Sequence, residues 1–211
     1  MTGHTSVFVK ICGMTRLPDA LHAVEHGANA LGFVFWPQSP RYIDPDRAAG
    51  IIAALPAGVS TVGVFVNESV EGIKGVAAQT GISTIQLHGD ESPSYADALD
   101  WPVLRATTVE QFDQVSAAWP ADTLFLMDAA DPVRRGGTGR TIDWRRAASA
   151  ARPRRIVLAG GLTPDNVADA VETVRPFGVD VSSGVEDAPG VKNQDKVARF
   201  LVSARSVRDE R

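Results

Sequence analysis

VFVKICGMTR, residues 7–16, places the only cysteine of the chain, Cys12, at the end of a short apolar run and directly before a glycine. The run predicts a strand that delivers a thiol to a loop, and in parallel α/β proteins reactive side chains collect at the carboxyl ends of strands. Side chains two apart on a strand share a face, so Phe8, Lys10 and Cys12 are predicted to point the same way. Free cysteines also occur as small buried hydrophobic residues, so position alone leaves both interpretations open.

Outward from this stretch, short β-branched or apolar runs alternate with longer amphipathic segments to the end of the chain. This alternation predicts eight strand and helix pairs. The strands are predicted over residues 7–12, 30–35, 61–66, 84–88, 103–106, 123–128, 155–159 and 179–182. The helices are predicted over residues 18–27, 45–55, 70–80, 94–99, 110–119 and 194–204, with one more beginning near 143 and another opening at 163–165.

Eight such units in 211 residues indicate an α/β fold, namely a (β/α)8 TIM barrel of the phosphate-binding type, in a single domain over residues 1–211. The alternative is a doubly wound open sheet. The sequence has neither a G-x-G-x-x-G turn after the first strand nor a change of composition that would mark a second domain. The barrel is therefore the predicted architecture.

The charge of the chain indicates a small molecule as its partner. A net charge of -4 and a pI near 5.6 give no general attraction to nucleic acid or to anionic membranes, so neither is expected. Residues 48–67 lack charge and approach a membrane span in length, but Pro56, Gly58 and Ser60 interrupt them. A lone cysteine and an N-terminus unlike a signal peptide predict a cytoplasmic protein.

Three glycine-containing turns follow the last three predicted strands and favour a phosphorylated ligand. A long connection after Asp128 carries Gly139 in a G-G-T-G run, and Gly161 and Ser183-Gly184 follow the next two strands. Consecutive backbone N–H groups in such turns can converge on one anion. In barrels of this kind a phosphate commonly lies between the loops after strands seven and eight. A mobile surface loop with a helix-facing Asp128 is the alternative.

Other polar side chains are predicted to reach the same end of the barrel. Two prolines stiffen the loop that carries Arg41, a guanidinium suited either to binding a carboxylate or to an ordinary exposed ion pair. His88 on strand four is a candidate ligand contact or a core residue. Closure of strand eight onto strand one would set Asp180 beside Lys10 and neutralise it. Because His, Asp and Cys are scattered singly, no metal site is expected.

These residues also resemble a family, phosphoribosylanthranilate isomerase, in order along nearly the whole chain. The blocks that carry the resemblance are KICGMT (10–15), FWPQSPR (35–41), VGVFV (62–66), QLHG (86–89), GGTG (136–139), LAGGL (158–162) and DVSSGVE (180–186). The first and last blocks are distinctive, whereas the glycine turns alone would fit many phosphate-binding barrels. The sequence departs from the family pattern at Ile142, where an aromatic is frequent, and at Arg105, where a lysine is frequent.

The resemblance implies an Amadori rearrangement of N-(5'-phosphoribosyl)anthranilate in tryptophan biosynthesis, without a cofactor. It implies that Asp128 is the general acid and Cys12 the general base, and that Arg41 holds the anthranilate carboxylate. Gly139, Gly161, Ser183 and Gly184 would hold the phosphate. The roles require a protonated Asp128, which a negative charge on Asp180 or the substrate would favour, and an ionised Cys12, which Lys10 would favour.

Two alternatives to this activity remain at the level of sequence. One is another phosphosugar barrel, but a histidine-pathway isomerase would have an aspartate at position 12, and a ribulose-phosphate epimerase would have a set of metal-binding His and Asp residues. The other is a barrel that binds a phosphorylated ligand without turning it over, which the presence of both Cys12 and Asp128 argues against. A monomer and a homodimer are both open.

Overall fold

A computed structural model describes residues 7–129 and 142–207. Eight parallel strands form a closed barrel in sequence order, with β8 paired to β1. The strands are β1 Phe8–Cys12, β2 Ala30–Val34, β3 Ser60–Phe65, β4 Thr84–Leu87, β5 Val103–Thr108, β6 Leu124–Asp128, β7 Ile156–Leu158 and β8 Gly178–Val181. The predicted fold class is confirmed.

A helix follows every strand on the outside of the barrel. The helices are α1 Leu17–Glu25, α2 Pro45–Ala53, α3 Val70–Thr80, α4 Pro93–Ala96, α5 Phe112–Ala118, α6 Trp144–Ala151, α7 Val167–Val174 and α8 Gln194–Arg205. Most begin at side-chain caps that the sequence supplies, such as Asp44, Ser69 and Asn193, each of which accepts a hydrogen bond from a first-turn N–H.

Two helices differ from the sequence prediction. The segment 163–165 forms a turn, in which the carbonyl of Thr163 accepts hydrogen bonds from the N–H groups of Asn166 and Val167, and α7 begins only at Val167. Proline suits the second position of a turn as well as the first turn of a helix, so the sequence could not separate the two. α4 ends at Ala96, three residues before the predicted end at Leu99.

The sequence prediction also missed a short hairpin after β8. A 3-10 turn, Ser183–Val185, leads into β9, Glu186–Ala188, which pairs antiparallel with β10, Val191–Lys192. Pro189-Gly190 joins the two strands, and Gly190 has a φ of 78°. A Pro-Gly dipeptide between short runs is the signal that could have revealed the hairpin.

Alternation of side chains separates two hydrophobic layers. Residues such as Val9, Ile11, Leu31 and Phe125 pack in the large core between barrel and helices. The alternate residues on the same strands form smaller clusters inside the barrel, including one of Cys12, Val34 and Val64. Lys10 and Cys12 therefore share the inward face, as the period of two predicts.

Candidate active site

The thiol of Cys12 lies at the carboxyl end of β1, opposite a glycine that leaves room for it. Cys12 pairs with Gly32 of β2 across the ladder. A Cβ atom on Gly32 would lie 2.6 Å from the sulfur of Cys12. The Gly32 carbonyl also accepts hydrogen bonds of 2.9 Å from the N–H groups of both Gly13 and Met14, which turns the chain away directly after the cysteine. Gly32 thus shapes both the pocket of the thiol and the loop that follows.

Burial raises the pKa of the Cys12 thiol above its ordinary value, although the positive charges of Lys10 and Lys192 act in the opposite direction. The thiol is only 8% exposed, and removing a thiolate from water costs more than these charges return. Lys10 thus acts in the predicted direction, toward ionisation of Cys12, but burial outweighs it. The raised pKa favours the thiol over the thiolate in the ligand-free protein.

Lys10 is occupied by a second partner. Its Nζ lies 2.9 Å from Oδ1 of Asp180, and both side chains are buried. Burial by itself would lower the pKa of Lys10, but the charge of Asp180, together with that of Cys12 when it is ionised, outweighs this effect and the pKa is raised. The predicted pairing of Lys10 with Asp180 is therefore present. The sequence analysis suggested that a negative charge on Asp180 would favour a protonated Asp128. In the structure Lys10 compensates the charge of Asp180, and that suggestion stays a prediction.

Asp128 closes β6 beside His88. The two side chains approach to 3.7 Å between Nε2 of His88 and Oδ2 of Asp128. The other carboxylate oxygen of Asp128 accepts a 2.7 Å hydrogen bond from the N–H of Ala129. Nε2 of Gln86 lies 2.8 Å from Nδ1 of His88, an arrangement that favours the tautomer with its proton on Nε2, facing Asp128. The structure thus joins two predicted site residues that the sequence left on separate strands.

Arg41 is buried and bound to a carboxylate that the sequence analysis gave no role. Its guanidinium contacts Glu186, at the start of β9, with 2.7 Å between Nη2 and Oε2. Lys192 of β10 contacts the same carboxylate. Burial alone would raise the pKa of Glu186, but hydrogen bonds from Arg41 and the charge of Lys192 bring it below its ordinary value. The hairpin therefore adds Glu186 and Lys192 to the site.

The turns after β7 and β8 pack directly against each other. Gly160 and Gly161 have φ values of 83° and 64°, which glycine adopts readily. A Cβ atom on Gly184 would lie 1.9 Å from the carbonyl oxygen of Leu162. The hydroxyl of Ser182, also in this region, is buried and has no hydrogen-bond partner among the described residues. Gly139, the remaining predicted phosphate contact, lies outside them.

Arg105, one of the departures from the family pattern, lies on the outer side of β5. It alternates with Leu104 and Ala106, which belong to an inner cluster. Its Nη1 donates to the carbonyls of Leu87 and Gly89 at 3.1 and 3.0 Å and reaches Oε2 of Glu91 at 3.2 Å. These contacts brace the loop that follows β4 and carries His88.

Cavities open at both ends of the barrel. One of about 700 Å³ is lined by His88, Asp128 and the loops after β4, β5 and β6. Another of about 550 Å³ is lined by residues at the opposite end, including Phe8, Ser60 and Phe177. The carboxyl-terminal end is the candidate active site because Cys12, Asp128, Arg41 and the glycine turns meet there, as in other barrels of this class.

Possible metal ligands occur elsewhere. In the described ranges, potential ligand atoms of His22, Glu25 and His26, at the C-terminal end of helix α1, lie within 4.8 Å of one another. Neither Cys12 nor Asp128 belongs to this group. No helix within residues 7–129 and 142–207 has the length and apolar character needed to cross a membrane.

A family model described as N-(5'phosphoribosyl)anthranilate (PRA) isomerase matches residues 9–203. An N-(5'-phosphoribosyl)anthranilate isomerase of Citrifermentans bemidjiense is 49% identical over 202 residues, covering 94% of this chain and 97% of that protein.

Two solved structures extend the comparison. One is phosphoribosyl anthranilate isomerase in complex with reduced 1-(o-carboxyphenylamino)-1-deoxyribulose 5-phosphate, with a TM-score of 0.85 and 40% identity over 95% of this chain and 100% of that one. The other shows monomers generated from the dimeric enzyme of Thermotoga maritima, with the same TM-score of 0.85, 40% identity and the same coverage of 95% and 100%.

Proposed function

The chain belongs to the N-(5'-phosphoribosyl)anthranilate isomerase family, and from that premise we propose which of its residues carry the reaction. The protein is an isomerase of tryptophan biosynthesis. It converts N-(5'-phosphoribosyl)anthranilate to 1-(2-carboxyphenylamino)-1-deoxyribulose 5-phosphate. The observation that supports our assignment is that Cys12 and Asp128 end strands β1 and β6, on either side of the same barrel mouth.

Asp128 is the general acid in this proposal. It gives its proton to the ring oxygen of the ribose, the bond between that oxygen and C1 breaks, and the nitrogen lone pair forms an iminium. The hydrogen bond from Ala129 holds one carboxylate oxygen and leaves Oδ2 toward His88. In this proposal His88 is a substrate-binding residue. It also lies beside Asp128 and holds the carboxyl group of Asp128 in its orientation.

Cys12 is the general base. It removes the proton from C2, and the electrons of that bond form an enolamine that tautomerises to the ketone. The base is the thiolate form of Cys12. Burial raises the pKa of Cys12 in the free protein, so the thiol first releases its proton to water. The positive iminium nearby favours that release, because an adjacent positive charge stabilises a thiolate. Lys10 and Asp180 remain substrate-binding residues in this proposal because their ion pair lies on the inward face of β1 and β8, although Lys10 also lines the cavity at the opposite end of the barrel.

The two anionic ends of the substrate have separate binding groups. Arg41 holds the anthranilate carboxylate. The backbone at Gly139, Gly161, Ser183 and Gly184 holds the phosphate, supported by the close packing of the turns after β7 and β8. Backbone donors can bind a phosphate without added positive charge, which suits a chain of net charge -4.

We further propose that residues 1–211 act as one catalytic domain in the cytoplasm, with no cofactor and no catalytic metal. The substrate is the expected partner, with neither nucleic acid nor membrane. The net negative charge supports the absence of nucleic acid and anionic membranes as partners. A homodimer is the assembly we favour over a monomer, because the related enzyme of Thermotoga maritima is dimeric.

Turnover by matched variants tests the two assignments. The fluorescence change of freshly generated phosphoribosylanthranilate would be followed with the wild type, Cys12→Ser, Asp128→Asn and the exposed control Asp100→Asn. General acid and base groups each contribute roughly 10²- to 10⁴-fold, so both site variants should lose activity on that scale. The control should match the wild type. A folded site variant with near-normal turnover would overturn the role of that residue.

A further inference from the structure

Glu186, on the hairpin after β8, binds Arg41 through a carboxylate that accepts hydrogen bonds at both of its oxygens. Nε of Arg41 lies 3.0 and 3.1 Å from the two oxygens of Glu186, and Nη2 lies 2.7 Å from Oε2. The N–H of Gly190 donates to Oε1 at 3.2 Å. The side chains of Arg41 and Glu186 are 11% and 5% exposed. This fork fixes the plane of the guanidinium before any ligand arrives.

Lys192 holds the other side of Glu186 and connects it to the end of β1. Its Nζ donates to Oε1 of Glu186 at 2.7 Å, to the carbonyl of Cys12 at 2.5 Å and to the carbonyl of Ser182 at 3.3 Å. An ammonium has three N–H donors, so these contacts use all of them. Lys192 therefore connects the hairpin to the end of β1 and to the residue that follows β8, the two strands that close the barrel.

The backbone at the end of β1 also shapes the path of Arg41. Gly13 has a φ of 78°, and a Cβ atom there would lie 2.7 Å from Cδ of Arg41. The arginine arm thus passes against the residue that follows Cys12. A side chain at position 13 would displace it, so the position of the guanidinium depends on β1 as well as on the hairpin.

The cluster of Arg41, Lys192 and Glu186 carries a net charge of +1, which one anionic group of a ligand could neutralise. Arg41 and Lys192 bring two positive charges and Glu186 brings one negative charge, while Lys10 and Asp180 compensate each other nearby. Nη1 of Arg41 makes no hydrogen bond to another residue of the described ranges. The Nε and Nη2 edge is occupied by Glu186, so a ligand carboxylate would meet the other edge of the guanidinium.

We propose that Glu186, held by Lys192, is a positioning residue that presents the outer edge of Arg41 to the aromatic carboxylate of the substrate. The inference rests on the proposed role of Arg41 and explains why Arg41 would select a substrate that carries the carboxylate. A guanidinium fixed in this way does not have to be ordered when the ligand binds, which strengthens recognition of the carboxylate. Glu186 touches Arg41 and acts on the substrate only through it.

A pair of ligands that differ in one carboxylate tests the proposal. The first is reduced 1-(o-carboxyphenylamino)-1-deoxyribulose 5-phosphate, and the second is its phenylamino analogue without the carboxylate. Their affinities would be measured by calorimetry for the wild type, Glu186→Gln and Glu186→Asp. Asp187→Asn is the matched control, because Asp187 is the exposed neighbour of Glu186 in the same hairpin.

The expected result is a loss of affinity confined to the carboxylated ligand. Glu186→Gln should weaken its binding by about tenfold or more and leave the analogue within about twofold, since only the first ligand uses Arg41. In turnover, KM should rise more than kcat falls. Glu186→Asp keeps the charge and should retain part of the selectivity even if Glu186→Gln fails to fold, whereas Asp187→Asn should match the wild type.

Other results would overturn the inference in distinguishable ways. Equal losses for both ligands in the Glu186 variants would show a general structural role, and unchanged affinities would show that Arg41 is positioned without Glu186. A wild type that binds both ligands equally would instead contradict the proposed role of Arg41 itself, before any variant is considered.

Discussion

Lys10 and Asp180 face each other in register across the closure of the barrel, with 2.9 Å between Nζ and Oδ1. The ion pair lies on the seam where β8 meets β1, and both side chains are buried. Removing one partner of a buried pair leaves the other charge without compensation and typically costs about 3–5 kcal/mol. Asp180→Leu should therefore lower the free energy of unfolding by an amount on that scale, measured by urea denaturation.

A double-mutant cycle measures the coupling energy between Lys10 and Asp180, apart from the other effects of each substitution. Lys10→Met combined with Asp180→Leu should cost clearly less than the sum of the single changes, because neither charge is then left unpaired. The exposed pair of Lys74 and Asp100 is the control, where Asp100→Asn should change little. Additive effects of the two buried substitutions would contradict the coupling.

The same pair shows why part of this site was predictable from sequence. Once strands are placed and the barrel closes in order, a period of two fixes which side chains face inward, and Lys10 and Cys12 follow from it. The pairing of Lys10 with Asp180 then requires only that β8 lie beside β1. Strand ends likewise indicated Asp128, since the carboxyl ends of all strands share one face of the barrel.

Other contacts depended on geometry that a one-dimensional pattern does not carry. Glu186 and Lys192 lie on a hairpin too short to show any periodicity, and its contacts reach Arg41, 145 residues away in sequence. The state of Cys12 depended on the balance between burial and charge. Sequence supplies the charge of Lys10 and its pairing with Asp180, but the depth at which the thiol is buried appears only in the folded chain.

Gly32 is expected to be essential for the position of the thiol. In Gly32→Ala, the new Cβ atom would lie 2.6 Å from Sγ of Cys12 and 3.1 and 3.2 Å from its Cα and Cβ. The sulfur would have to move, and a misplaced catalytic atom can cost about 10²-fold in rate. Turnover of phosphoribosylanthranilate should fall on that scale while circular dichroism shows a folded barrel.

The control for Gly32 is Gly50→Ala in α2, where a Cβ atom would meet nothing within 4 Å. Alanine is favoured over glycine in a helix interior, so this variant should keep full turnover and gain some stability. If Gly32→Ala turned over substrate as fast as Gly50→Ala, the thiol of Cys12 would not need its present position.

Cys12 should react slowly with iodoacetamide in the ligand-free protein. Alkylation follows the thiolate fraction, and burial raises the pKa of this thiol. The pH at which the rate reaches half its maximum should therefore exceed the ordinary thiol value of about 8.5. A half-maximal rate at or below neutral pH would contradict the effect of burial and would indicate a thiolate already present.

The raised pKa of Cys12 also predicts a loss of stability at alkaline pH. The native state retains a proton that the unfolded state releases above a pKa of about 8.5, so the free energy of unfolding should fall as the pH rises from there toward the native pKa. Chemical denaturation at several pH values measures this. Cys12→Ser should flatten the slope in that window, because serine does not ionise there. An unchanged slope would assign the alkaline loss to other groups, such as Lys10, whose pKa is also raised.

Gly184 should control phosphate binding through the packing of the two last turns. In Gly184→Ala, a Cβ atom would lie 1.9 Å from the carbonyl oxygen of Leu162, and backbone atoms cannot move aside as a flexible side chain can. The turns after β7 and β8 would have to separate, which would spread the N–H donors proposed to surround the phosphate. The affinity for inorganic phosphate and 1/KM for the substrate should both fall by about tenfold or more, as expected when backbone donors to a charged group are displaced.

Gly75→Ala in α3, where a Cβ atom would meet nothing within 4 Å, should leave both values unchanged. If Gly184→Ala kept its affinity for phosphate while losing stability, the contact with Leu162 would serve the fold alone, and the phosphate would have to bind elsewhere on the barrel mouth.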